Sequence, residues 1–260
     1  MTQASIQPRP MPKVRPIAYD DLGEAFRAGV RDFRRAPAYG LFFGGVYMLG
    51  GWAMWALLTL AEAPWLMLPL ALAFPLVGPF VAVGLYDVSR RLEAGQRLSW
   101  SAVLGVVFEQ RKRELGWMAF VTLFICFIWF YQIRTIMVLT MQNMSFSDYS
   151  HFLTLVATTQ EGLTFLAIGT VVGGFLALVL FSVTVIAIPL LLERDRDFIT
   201  AIITSVKAVT TSPVPMLGWG VTVTVLMLLS ILAGFLGLLV ILPVLGHATW
   251  HLYKRAVEPE

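Results

Sequence analysis

The sequence predicts an all-α, polytopic membrane helical bundle of six transmembrane helices in three hairpins, each hairpin preceded by an amphipathic interfacial helix. Three observations point there. Of 260 residues, 58% are hydrophobic and only 13% are charged, whereas a soluble domain is nearly half apolar and about a quarter charged. Apolar runs of roughly 20 residues, the length that crosses a hydrocarbon core, recur along the chain. The lysines and arginines lie between those runs, so a net charge of +3 reads as a topology signal and not as a nucleic-acid surface.

Residues 1–18 carry Pro8, Pro10, Pro12 and Pro16 and no apolar stretch, which predicts a disordered or extended cytoplasmic segment and no cleavable signal. A single membrane domain over 19–256 follows. It opens on an amphipathic helix, because Leu22, Ala25, Phe26, Gly29, Val30 and Phe33 recur at helical spacing while Glu24, Arg27, Arg31, Arg34 and Arg35 take other faces. Pro37 ends that helix, since proline removes a backbone donor and disfavours helix at the residue before it. Spans follow at Tyr39 to Ala61, Trp65 to Val88, Gly116 to Val138 and Leu163 to Leu192. Trp100, Val103, Leu104, Val107 and Phe108 form another apolar face between the second and third. The last run, Met216 to Tyr253, is too long for one span and reads as two short ones turning near Ala233, Gly234 and Gly237, with five spans in all as the alternative. The one cysteine, Cys126, falls inside an apolar run and reads as a small buried hydrophobe.

Orientation follows from the cations, which are enriched in short cytoplasmic loops. With the N-terminus inside, every Lys and Arg of the 19 except Arg134 falls on the cytoplasmic side. Six spans return the C-terminus inside as well; five would strand Lys254 and Arg255 outside. The expected location is the inner membrane, multi-pass, with both termini cytoplasmic.

The plan repeats within the chain. A shift of 176 residues aligns FRAGVRDFRRAP with IITSVKAVTTSP, setting Phe26 on Ile202, Val30 on Val206, Arg31 on Lys207 and Pro37 on Pro213. A shift of 164 sets Pro79 on Pro243, Tyr86 on Trp250 and Arg90-Arg91 on Lys254-Arg255. SWSAVLGVVFEQRKRELG repeats the theme more weakly, without a proline at its junction. The units run over about 20–93, 98–195 and 197–256. All three share one orientation, unlike inverted transporter repeats.

The runs FRAGVRDFRRAPAYGLFFGG and LPLALAFPLVGPFVAVGLYDVSRRLEAGQRLSW resemble an uncharacterised family of bacterial integral membrane proteins, domain of unknown function 2189. The similarity extends from about Ala25 to Arg255. It implies a six-span inner-membrane protein and carries over no catalytic residue, cofactor or substrate.

Candidate functional residues fall into three groups. Arg27, Arg31, Arg34, Arg35, Arg90, Arg91, Arg111, Lys112, Arg113, Lys254 and Arg255 are candidate contacts to anionic lipid or a protein partner at the cytoplasmic interface. Asp87, Arg134, His247 and His251 are candidate intramembrane polar groups, because ionisable side chains in a span are functional candidates by default. Asp87 and His251 are repeat-equivalent and His247 lies one turn away, but no third convergent ligand motif joins them, so hydrogen bonding is favoured over a metal site. Arg134, beside Trp129 and Tyr131, is placed to snorkel to headgroups, or else to pair with Glu62, Asp148 or Glu161. Pro69, Pro75, Pro79 and Pro243 are candidate helix kinks, and Gly40-xxx-Gly44 and Gly169-xxx-Gly173 are small-residue spacings for close helix packing. No nucleophile elbow, phosphate loop or dinucleotide fingerprint is present. The expected function is a non-enzymatic accessory, assembly or organising component of a membrane complex, with no cofactor and no nucleic acid; the alternative is a small transporter, channel or lipid-handling protein.

Overall fold

The computed structural model describes residues 10–59, 67–110, 114–141 and 149–260. Every regular element among them is helical, as apolar chain in hydrocarbon requires, because a helix satisfies its own backbone. In order these are α1 (Tyr19–Arg35), α2 (Pro37–Thr59), α3 (Met67–Glu93), α4 (Trp100–Gln110), α5 (Glu114–Met141), α6 (Tyr149–Thr158) and α7 (Gln160–Thr184). Then come α8 (Ala187–Glu193), α9 (Phe198–Thr211), α10 (Pro213–Leu232), a 3-10 turn at Leu236–Leu239 and α11 (Ile241–Ala256). Among the described residues, four stretches are long and apolar enough to cross a membrane: Pro37–Leu57, Glu114–Met141, Gln160–Glu193 and Pro213–Leu232. Helix α3, at 27 residues, is long enough to do so.

The last apolar run departs from expectation. It does contain two helices, but α11 has only 16 residues, about 24 Å at 1.5 Å per residue, and is not one of the span-length helices. A buried helix is apolar nearly all round, and that is why its sequence resembles a span. Its course is traced by its neighbours on α2 and then on α1. Trp52 Nε1 donates to the Gly234 carbonyl at 2.8 Å, Gly44 lies against the backbone of Leu238 and Leu239, Gly40 against Pro243, and Gly29 against Val244 and Ala248. Further on, His251 meets Asp32 and Arg255 meets Asp21. The chain therefore turns beside Trp52, with Phe235 at φ 65° and Gly234 at φ 68° making the reversal, and runs antiparallel to α2 and then α1. An isolated antiparallel bridge between Val14 and Val257 closes the circuit, flanked by Arg15 N–H to Ala256 at 2.8 Å and Glu258 N–H to Lys13 at 2.9 Å. Residues 10–18 are extended, and the two terminal segments lie side by side.

The junctions paired by the 176-residue shift have one geometry. Ala36, between α1 and α2, has φ −134° and ψ 53°; Ser212, between α9 and α10, has φ −134° and ψ 65°. The buried positions also coincide: Ala25, Ala28, Gly29 and Asp32 in α1 fall on Ala201, Thr204, Ser205 and Ala208 in α9. Each short helix packs on the helix that closes another unit: α1 on α11, α4 on α3, and α9 on α7 and α8. Helices α3, α8 and α11 in turn touch one another. The packed edge of α1 is thus its small residues, while Leu22, Phe26, Val30 and Phe33 stay half-buried beside it. In α4, Val103 is buried while Phe108 is largely exposed, so those two do not share a face.

Burial is uneven along the bundle. Only 17 to 22% of the apolar windows of α2, α5 and α10 is buried, leaving broad apolar faces such as Trp117, Phe120, Phe124 and Phe127 on α5 for hydrocarbon. The main core instead joins α8, α9, α11 and the second half of α3, with Trp250, Tyr253, Leu252 and Leu190 fully buried. Three of the four candidate kinks, Pro69, Pro75 and Pro79, lie within one continuous helix, α3; the side chains of Pro69 and Pro75 lie outside the described residues. Pro243 is in the first turn of α11, where proline costs no hydrogen bond. The break falls elsewhere. Pro189 cannot donate to Val185, the helix parts at Val185 and Ile186 between α7 and α8, and the Ile186 N–H is taken by Ser205 Oγ of α9 at 3.1 Å.

Candidate functional site

The ends of α3, α8 and α11, at or next to Arg90, Arg91, Arg194, Lys254 and Arg255, meet one another, and the ionisable side chains concentrate there. Asp87 is fully buried on α3. A buried carboxylate is tolerated only when paired, and Arg90 and Arg91, three and four residues on, reach back to its two oxygens, Arg91 Nε at 2.6 Å. From α11, Lys254 Nζ bonds Glu193 at 2.6 Å, and Tyr253 donates to the same carboxylate. Lys254 also lies over the Trp250 ring, 5.8 Å from its centroid, while Trp250 Nε1 donates to Glu93 at 3.3 Å. Arg255 pairs with Asp21 at 3.0 Å and with Glu24, both on α1.

Deeper in, Asp32 of α1 accepts a 2.7 Å hydrogen bond from His251 Nε2 of α11. An ionised carboxylate has no proton to give, so the imidazole is the donor. Burial opposes the charge on Asp32, but the hydrogen bond and field of His251, with a further bond from Ser89, outweigh it and hold its carboxyl below the usual range. One turn away, His247 Nδ1 and Ser89 Oγ lie 2.8 Å apart in a fully buried contact. Asp87, His247 and His251 therefore each face a different partner. Among the described residues, no group of three or more His, Cys, Asp or Glu is placed to hold a metal ion. Sequence reasoning passed over Asp32, although it sits on the buried edge of α1, seven residues after Ala25. A lone carboxylate on the same edge as Ala25 and Gly29 is the signal that could have found it.

The expected interfacial cations thus occupy two settings. Arg90, Arg91, Lys254 and Arg255 are held by carboxylates of the chain itself. Arg27, Arg31, Arg34 and Arg35 are exposed on α1, and no described residue pairs with them. With Phe26 and Val30 they line a surface groove of about 440 Å³. A second cleft, about 480 Å³, lies between the terminal segments and is lined by Lys13, Arg194, Arg196 and Glu260 among others. There Glu260 bridges Arg194 and Arg196, and Arg196 holds its carboxyl below the usual range. Arg134 is exposed on α5, one turn beyond Tyr131. Arg111, Lys112, Arg113, Glu62 and Asp148 lie outside the described residues.

Of the two small-residue spacings, one makes close contacts at both glycines. A Cβ on Gly44 would fall 2.6 Å from the Leu238 carbonyl, and one on Gly40 would fall 2.6 Å from the Phe33 ring. Gly169 faces open space, and Gly173 meets only the Trp129 ring at 3.3 Å. Tyr39 at the foot of α2 stacks on Trp100 at 4.1 Å, with Phe42 edge-on to the same indole at 5.2 Å. Such a cluster suits a membrane–water boundary.

Span-length apolar helices, lipid-suited outer faces and a charge-paired core at one end define a multi-pass integral membrane protein. Over residues 66–193 the chain matches the model of a family described as predicted integral membrane protein, domain of unknown function 2189. No curated protein and no solved structure matches the chain.

Proposed function

We propose that this protein is a non-enzymatic component of the bacterial inner membrane that organises or assembles a larger membrane complex. In this reading the three units are three membrane hairpins, the third shortened by α11, and the charge-paired end and both termini face the cytoplasm. The junctions at Ala36 and Ser212 and the common buried positions of α1 and α9 support the repeat. The distribution of cations supports the orientation.

The observation that carries the functional reading is the division of charge at the paired end. Asp87, Glu193, Asp21 and Glu24 neutralise the cations of α3 and α11, so those groups hold the fold together. What remains for contacts outside the chain is the arginine face of α1 and the apolar faces of α2, α5 and α10. These are suited to lipid and to neighbouring helices, whose association in a membrane rests on packing and polar contacts. The test is purification of the full chain from its native membrane in mild detergent, followed by mass spectrometry of what accompanies it. A stoichiometric membrane-protein partner is the expected result; a chain that purifies alone, with neither protein nor retained lipid, overturns the reading.

A further inference from the structure

The structure assigns the outer face of α1 as a binding site for an anionic phospholipid, with Arg27, Arg31, Arg34 and Arg35 on the phosphate and Phe26 and Val30 against the first acyl carbons. This rests on the membrane reading above and deepens it by naming the lipid class and the residues.

The first support is that these guanidiniums are unspent. Arg90, Arg91, Lys254, Arg194, Arg196 and Arg255 all hold a carboxylate of this chain. The four arginines of α1 are exposed, with no partner among the described residues. Positions 27, 31 and 34 rise along one face at spacings of four and three, so their charges add over one small area.

The second is an internal control. Helix α9 has the same buried edge and ends at the same corner, yet at the equivalent positions it carries Ile203, Lys207, Thr210 and Thr211. A helix can therefore make this junction with a single cation. The last two arginines are not needed to complement the helix dipole either, since α9 ends on two threonines at the same place. The comparison with α9 shows that the positive charge of α1 exceeds what this corner needs.

The third is position and shape. Arg34 and Arg35 stand immediately before the corner that opens α2, and the Tyr39, Phe42 and Trp100 cluster lies just past it. That places the guanidiniums at headgroup depth. The groove beside them joins apolar Phe26 and Val30 to the arginines, matching a ligand that is anionic at one end and hydrocarbon at the other. Arginine is the side chain best suited to bind phosphate oxygens in pairs.

The test uses the full chain in neutral detergent, with bound lipid counted by native mass spectrometry after addition of equal phosphatidylglycerol and phosphatidylcholine. The wild-type chain should retain phosphatidylglycerol preferentially. Each of Arg27→Gln, Arg31→Gln and Arg34→Gln should weaken that retention about fivefold, with phosphatidylcholine unaffected, while Lys207→Gln on α9 leaves both unchanged. Arg31→Lys, which keeps the charge, should retain most of the preference and serves if a glutamine variant fails to fold. No headgroup preference in the wild-type chain, or a loss on Lys207→Gln as large as on Arg31→Gln, overturns the site. If a protein partner still co-purifies in that case, only the lipid site has failed. If headgroup preference is present and no protein partner accompanies the chain, the site stands and the organising reading must rest on lipid alone.

Discussion

At the scale of single residues, the consequential contact is Asp32 with His251, since it ties α1 to α11 inside the core at 2.7 Å. Removing His251 leaves Asp32 buried without its partner, and removing Asp32 leaves the part-buried His251 unpaired, each costing more than the bond itself contributes. Asp32→Ala should lower unfolding free energy in detergent by about 2–3 kcal/mol, read from thermal or denaturant melts. The pH dependence has a defined sign. The Asp32 carboxyl titrates below the usual 3.8 when folded, so its contribution is present above that value and is lost as pH falls through the lower, folded one. An acid series should therefore show the wild-type melting temperature falling below pH 4 more steeply than that of Asp32→Asn; equal slopes would show that the carboxylate contributes nothing. The sequence offered little warning of this pair. The apolar stripe of α1 runs through Leu22, Ala25, Phe26, Gly29, Val30 and Phe33, which takes in Ala25 and Gly29 of the packed edge but leaves out Ala28 and Asp32. Small residues pack by letting backbones approach, and a hydrophobicity count gives them almost no weight.

At the scale of elements, the glycine and serine contacts separate sequence motifs that work from those that merely look alike. Gly44 meets backbone atoms of Leu238 and Leu239, which cannot rotate away, whereas Gly169 has nothing within 4 Å. Gly44→Ala should cost about 1–3 kcal/mol through overpacking, and Gly169→Ala should leave the melting temperature unchanged or slightly higher, because alanine is the better helix former. Ser205 supplies the second case. Its hydroxyl caps the Ile186 N–H at the break between α7 and α8, so Ser205→Ala should destabilise by about 1–3 kcal/mol; a neutral result would mean the break finds another acceptor. The proline-marked corners at Pro37 and Pro213 were legible in the sequence because proline both blocks the preceding helix and suits the first turn of the next. The break at Pro189 carried the same kind of signal inside a longer apolar run, where the prolines of α3 drew attention instead. Helix α11 could not be told from a span by composition. Apolar residues surround it because protein surrounds it, and only its 16-residue length separates the two cases.

At the scale of the whole molecule, the contacts of α1 on α11, α4 on α3 and α9 on α7 and α8 form a closed cycle around α3, α8 and α11. On the proposed plan of three like-oriented units the chain starts and ends on one side, and the Val14–Val257 bridge holds its terminal segments together. Proteins with an even number of crossings satisfy the same condition, so the bridge bears on sidedness as well as on packing. If the paired end is cytoplasmic, as proposed from the cation distribution, a membrane-impermeant maleimide should distinguish two positions in right-side-out spheroplasts. On a Cys126→Ser background, Leu232→Cys, at the far end of α10 where the native side chain is 80% exposed, should label readily. Met11→Cys, in the extended segment beside the C-terminus, should label only after the cells are opened. Reversal of that pattern would invert the protein in the membrane and remove α1 from the anionic inner leaflet. Equal labelling of both before lysis would mean that the terminal segments and the α10 turn share one side, a result incompatible with α10 crossing the bilayer.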